Sequence, residues 1–143
     1  MATISSGIIA NERLLHFGMW IAQAALACFF AVMACLKLML PAERLIELMA
    51  WAASVPLPLV RALGVCELLA AIAVAAPAVT RAPQRVVGVT AVFLLTLMMS
   101  AAVVHLVRGE PRMLMVNLTV AALAAFVAWG RLTHAPLEEV TAH

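Results

Sequence analysis

Glu67 is the residue in this sequence with the sharpest chemical demand. It stands inside an apolar stretch, residues 57–76, whose only other charged member is Arg61. An acidic group at the centre of a membrane helix costs about 2.5–3.5 kcal/mol on insertion scales. Its short side chain does not reach a headgroup from mid-bilayer, so it must face protein and either pair with a cation or keep its proton. Two chemistries follow. One is a structural ion pair with Lys37 or Arg61, and the other is a carboxyl that handles a proton, an ion or a ligand. Lys37, Arg61, Ser100, His105 and Asn117 are the further polar side chains inside apolar stretches that bear on this choice. Each also has a plain structural reading. Lysine or arginine near a span end snorkels to the headgroups, Asn and Ser glue helices together, and His105 fits an interfacial position.

The elements that carry these residues follow from composition. The chain has 143 residues, of which 66% are hydrophobic and 11% charged, with a mean hydropathy of +1.11. Soluble domains average roughly 45–50% apolar and about 25% charged residues, and disordered chains are poor in apolar residues. A net charge of +2 is too weak for a nucleic-acid surface. What remains is an integral membrane protein whose partner is the lipid bilayer. Four stretches, residues 17–40, 57–76, 86–107 and 113–129, approach or exceed the roughly 20 residues needed to span a bilayer. They are apolar on every face, as lipid-embedded helices are, and lack the alternation of membrane strands. The expected fold is all-α, a single domain over residues 1–143 folded as an antiparallel four-transmembrane-helix bundle. In the connection 41–56, Leu45, Leu48, Met49 and Ala52 recur at helical spacing. They predict a short interfacial helix, with Trp51 as its anchor. The first run is too long, and its leader too poor in positive charge, for a cleaved signal peptide. Cys28, Cys35 and Cys66 form no CxxC pair and read as buried small hydrophobes.

Depth arithmetic then separates the two halves of the membrane. Ends of spans one and three share a side with starts of spans two and four. At 1.5 Å per residue, Lys37, Arg61, His105 and Asn117 lie about 3–6 Å below that surface, Ser100 about 10 Å and Glu67 about 15 Å. The opposite half holds little beyond Gln23, Thr90 and Thr96. Arg61 and Glu67 are about 240° apart around their helix. This sends Glu67 toward a neighbouring helix and Arg61 sideways or outward. No metal is expected, because Glu67 and His105 are the only ligands in this half, with His16, His134 and His143 on the other side. Charge does not orient the chain: Arg13, Arg81, Arg85 and Arg131 face Arg44, Arg108 and Arg112, with Lys37 and Arg61 at the membrane edge.

Several of these residues form a pattern that resembles the DoxX-like family of small bacterial four-helix membrane proteins. The pattern begins with Trp20, Phe29-Phe30 and Lys37-Leu38. It continues with Pro58-x-x-Arg61-x-x-Gly64-x-x-Glu67-Leu68, Pro77, Ser100-Ala101-Ala102-x-x-His105 and Arg108-Gly109-Glu110. Ala34 departs from it, where a glycine is expected. The resemblance implies a multi-pass protein of the bacterial inner membrane with cytoplasmic termini. It also implies links to quinone chemistry, oxidative-stress tolerance or, in a related animal protein, receptor assembly. Three readings stay open, and with them whether the chain is an enzyme. The first is a half-pocket of Lys37, Arg61, Glu67, Ser100, His105 and Asn117 that binds a quinone-like or other small lipophilic molecule beside a membrane redox partner. Phe29, Phe30 and Met98 would line its apolar part. The second is a non-catalytic assembly factor. The third is a proton-coupled transporter working as a homo-oligomer, with Glu67 as its switching carboxyl.

Overall fold

The computed structural model describes residues 2–80 and 82–133, with side chains from residue 13 onward. Arg81, His134 and His143 lie outside the described residues. Within them the chain is helical: α1 (Ala2–Met39), α2 (Ala42–Leu48), a 3-10 turn (Ala50–Ser54), α3 (Leu57–Ala75), a second 3-10 turn (Ala76–Ala78), α4 (Gln84–Val107) and α5 (Pro111–Thr133). Four of the helices are long and apolar enough to cross a membrane. Proline marks the boundaries. Pro56 and Pro83 are the N-caps of α3 and α4, Pro58 lies in the first turn of α3, and Pro111 opens α5. At these places a missing N–H costs nothing, because the first helical amides have no intrahelical acceptor.

The bundle closes as a ring. Helix α1 packs mainly on α3 and α4 mainly on α5, while lesser α1–α5 and α3–α4 contacts complete the circle. Leu26, Phe30, Val74, Val87, Ala91, Leu94, Ala124 and Val127 have no exposed surface and fill the half nearer the start of α1. The other half, where α1 ends and α3 begins, holds a smaller cluster of Leu45, Met49, Ala52 and Val60 beneath the connecting segment.

Several expectations need correction. The fourth span is longer than 113–129, extending through Thr133 and carrying Arg131 inside the bundle, 2% exposed. The interfacial segment is a helix followed by a 3-10 turn, broken at Met49, where ψ is 79°. Leu48 is accordingly exposed, while Leu45, Met49 and Ala52 are buried. The three cysteines are free and sit on the outer surface of the bundle. Four helices offer only a narrow interior, so small apolar residues outside the contact stripes face hydrocarbon instead.

The half expected to be nearly apolar contains a built polar cluster. Arg131 Nε donates to Gln23 Oε1 at 3.1 Å, and Gln23 Nε2 donates to the Val74 carbonyl at 2.7 Å. The guanidinium lies 4.8 Å from the centroid of the Trp20 ring, and Trp20 Nε1 donates to His16 Nε2 at 3.0 Å. The cluster ties α1, α3 and α5 together. A span ended at Trp129 is four residues too short and leaves Arg131 among the surface charges.

Candidate functional site

At the opposite end of the bundle, the Arg61-x-x-Gly64-x-x-Glu67 series fastens α3 to α1. Helix α1 stops before Pro41, and proline at that position has no N–H to give the Lys37 carbonyl four residues earlier. Arg61 supplies the missing donors. Its Nη1 donates to the Lys37 carbonyl, and its Nη2 donates to the Leu40 carbonyl at 2.6 Å. A cation at a helix C-terminus is also favoured by the helix dipole. One turn deeper, a Cβ on Gly64 would lie 3.0 Å from Lys37 Cβ and 3.2 Å from Leu38 Cγ, so glycine sets the spacing of the two helices. Deeper still, Lys37 Nζ donates to Glu67 Oε1 at 3.0 Å and to Oε2 at 2.7 Å. Both side chains are almost wholly enclosed.

The depth estimates put Lys37, one of the two partners offered for Glu67, about 10 Å nearer the surface than Glu67. Side chains on a helix tilt toward its N-terminus. Lys37, near the end of α1, therefore points down into the bundle, while Glu67 on the antiparallel α3 points up toward it. Four methylenes close the remaining gap. Snorkelling by Lys37 is overturned by this geometry.

Substituting Gly64 with alanine removes the helix-propensity penalty of glycine, about 1 kcal/mol. It also forces a methyl group against Lys37 Cβ, which sits beside the backbone and yields little. Overpacking of this kind costs about 1–3 kcal/mol. Gly64→Ala is therefore expected to lower the melting temperature in detergent, despite the better helix former.

Behind the ion pair lies a cavity of about 230 Å³. Lys37, Glu67, Ser100, His105 and Asn117 all line it. Arg61 does not, because it is spent on the end of α1. Phe29 and Met98 supply apolar wall as expected, whereas Phe30 is buried in the main core. Trp51 roofs the cavity from the 3-10 turn, and Met33, Leu63, Leu97, Ala101 and Val104 complete it. Met33, Leu63, Leu97 and Val104 escaped sequence reading because nothing in their type or spacing separates them from lipid-facing neighbours. Ser100 and Val104 are exposed on α4 and still border the cavity. The cavity therefore opens sideways along the α3–α4 seam, on the surface that meets hydrocarbon.

The polar wall has a distinct state of hydrogen bonding. Lys37 and Glu67 satisfy each other, and Ser100 Oγ donates back to the Thr96 carbonyl at 2.9 Å. His105 Nδ1 donates to Glu110 Oε2 at 2.6 Å. Asn117 differs: it is 8% exposed, and its Nδ2 is buried with no partner. A buried donor without an acceptor costs about 1–3 kcal/mol. Outside the spans, the Glu110 carboxyl is held below the ordinary carboxylate range, first by the hydrogen bond from Arg108 and then by that from His105. Among the described residues, no group of three or more His, Cys, Asp or Glu gathers closely enough to hold a metal ion.

A ring of four helices able to cross a membrane, around an off-centre, half-polar cavity, defines a small multi-pass membrane protein. The chain belongs to the DoxX-like family, whose model matches residues 21–127. Comparison with curated proteins and with solved structures gives no match.

Proposed function

We propose that this protein holds the ring of a small, neutral, lipophilic molecule of quinone type in the cavity, as part of a membrane redox or stress-tolerance system. The observation that carries this reading is Asn117, which lines the half-polar cavity and whose Nδ2 has no partner, beside polar neighbours that are already hydrogen-bonded. A carbonyl oxygen is the acceptor it lacks. An apolar cavity of about 150 Å³ holds benzene, so the larger space here suits a substituted single ring. The opening along the α3–α4 seam admits a molecule dissolved in the bilayer and leaves room for a tail in lipid. In the bacterial inner membrane with cytoplasmic termini, the cavity would face the periplasmic half. Electrons would come from a membrane partner, since the chain offers no redox cofactor motif of its own.

A second reading, an assembly factor without a ligand, draws on the ion pair and on Arg61. Both are fully used in joining α1 to α3. Extraction in mild detergent, followed by mass spectrometry of co-purifying small molecules, separates the two. The control is Ala101→Phe, which fills the cavity from its α4 wall. Wild type is expected to carry a quinone-type compound, and Ala101→Phe to emerge folded and empty. If both emerge folded and empty, the assembly reading takes its place.

A further inference from the structure

His105 borders the cavity, but its Nδ1 is already engaged by Glu110 Oε2 at 2.6 Å. Glu110 also accepts from Arg108 Nε at 2.8 Å. It lies between α4 and α5, beyond both spans, with 30% of its side chain open. The backbone builds this contact. Gly109 has φ +68°, its N–H donates to the Leu106 carbonyl at 3.1 Å, and the Glu110 N–H donates to the His105 carbonyl at 2.9 Å. These paired bonds form a Schellman close, in which a left-handed glycine turns the chain back over the last helical turn. The second bond returns residue 110 over residue 105, which brings the carboxylate onto the imidazole.

That arrangement limits what the ring can offer a ligand. With Nδ1–H donated to Glu110, Nε2 is the nitrogen left for the cavity. A neutral imidazole presents only a lone pair there, whereas the doubly protonated ring presents a donor. A carbonyl-bearing ligand that accepts from Asn117 can therefore accept from His105 only when the ring has gained a proton. Glu110, part-exposed and on the opposite nitrogen, stands where its negative charge can compensate the one the ring gains.

We propose that Glu110 is a positioning residue of the cavity, fixing His105 by its Nδ1–H and balancing the charge the ring gains, so that a carbonyl ligand binds with uptake of one proton at Nε2. This rests on the cavity reading above and adds the chemistry of its occupant: a neutral hydrogen-bond acceptor, taken up together with a proton from water. The only bond made is N–H, and no electrons move. The other ionisable groups on the cavity are Lys37 from α1 and Glu67 from α3, which neutralise each other. From α5 comes Asn117 and from the 3-10 turn Trp51, neither of which titrates here. Arg112, at the start of α5, is exposed.

The test uses the full chain in lipid nanodiscs with duroquinone, a tetramethyl benzoquinone whose substituted ring resists thiol addition. Quenching of Trp51 fluorescence reports binding, since Trp20 and Trp129 lie toward the other end of the bundle. For wild type, affinity is expected to be level in acid and to weaken by about tenfold per pH unit above an onset, as for one linked proton. Glu110→Gln should match wild type at the acid end but begin to weaken at least one pH unit lower. Glu110→Asp should restore much of the wild-type curve, and His105→Gln should bind weakly with no pH dependence. Superimposable wild-type and Glu110→Gln curves would overturn the proposal. So would a slope that survives in His105→Gln, which would place the proton on Glu67 or elsewhere. Binding without pH dependence sinks this proposal alone, whereas no binding at any pH sinks it together with the cavity reading.

Discussion

Glu67→Gln and Lys37→Met, made singly, are each expected to destabilise the bundle by about 3–5 kcal/mol. SDS-induced unfolding in mixed micelles would measure the loss. Each single change leaves one ionisable group in a site built for two. Arg61 offers Glu67 no rescue, because its guanidinium is held on the Lys37 and Leu40 carbonyls. The double variant Lys37→Met with Glu67→Leu is expected to recover most of the loss. Replacing a buried pair with apolar residues of similar volume is commonly neutral or stabilising. The sign of the coupling is the point. If the double variant is as unstable as the sum of the singles, Lys37 and Glu67 act through separate contacts and the pair is not what joins α1 to α3.

The four spans, their antiparallel order and the membrane class were legible because lipid imposes length and apolarity on every residue of a span. Those are properties of composition rather than of contact. Glu67 was legible for the same reason, since a mid-span acid is expensive whatever its partner. The choice of partner was not. It turns on the tilt of side chains toward helix N-termini, which moves Lys37 inward and Glu67 outward by more than the spacing between their depth estimates allowed. Arg61 shows a second limit. Angular position on α3 set it away from Glu67, but its partner was a carbonyl orphaned by Pro41, a signal present in the sequence and read only as a boundary. Glu110 was legible in the same way. A histidine four residues before a glycine and five before an acid is the spacing of a Schellman close. Arg131 was missed for a humbler reason, the placing of a helix end at Trp129.

The two ends of the α1–α3 pair also obey a common logic. At one end α3 lends Arg61 to the carbonyls that end α1, and at the other α1 lends Gln23 to the Val74 carbonyl in the last turn of α3. In a membrane no water replaces such donors, and each unsatisfied backbone group costs several kcal/mol. Buried polar residues near span ends are thus first suspected as caps. Only those left over after capping and pairing are candidates for ligand work. By that standard Lys37, Glu67 and Arg61 are largely accounted for, while His105 and Asn117 are not.

Asn117→Leu puts that distinction to its strongest test, because stability and binding are expected to move in opposite directions. Leucine occupies a similar volume and removes a buried amide nitrogen that has no acceptor. Since an unsatisfied donor costs about 1–3 kcal/mol, the variant should be more resistant to SDS than wild type by about 1–2 kcal/mol. A residue that merely glued helices would behave otherwise, since its loss would break a hydrogen bond and lower stability. Binding should fall sharply. A hydrogen bond to an uncharged carbonyl in a site closed to water is worth about 0.5–1.5 kcal/mol net, and the leucine branch also intrudes where the carbonyl would sit. Duroquinone affinity is therefore expected to drop by about tenfold or more. A stabilised Asn117→Leu that binds as well as wild type would remove Asn117 from the site. A destabilised one would show that the amide is satisfied within the bundle, and the case for a waiting ligand would go with it.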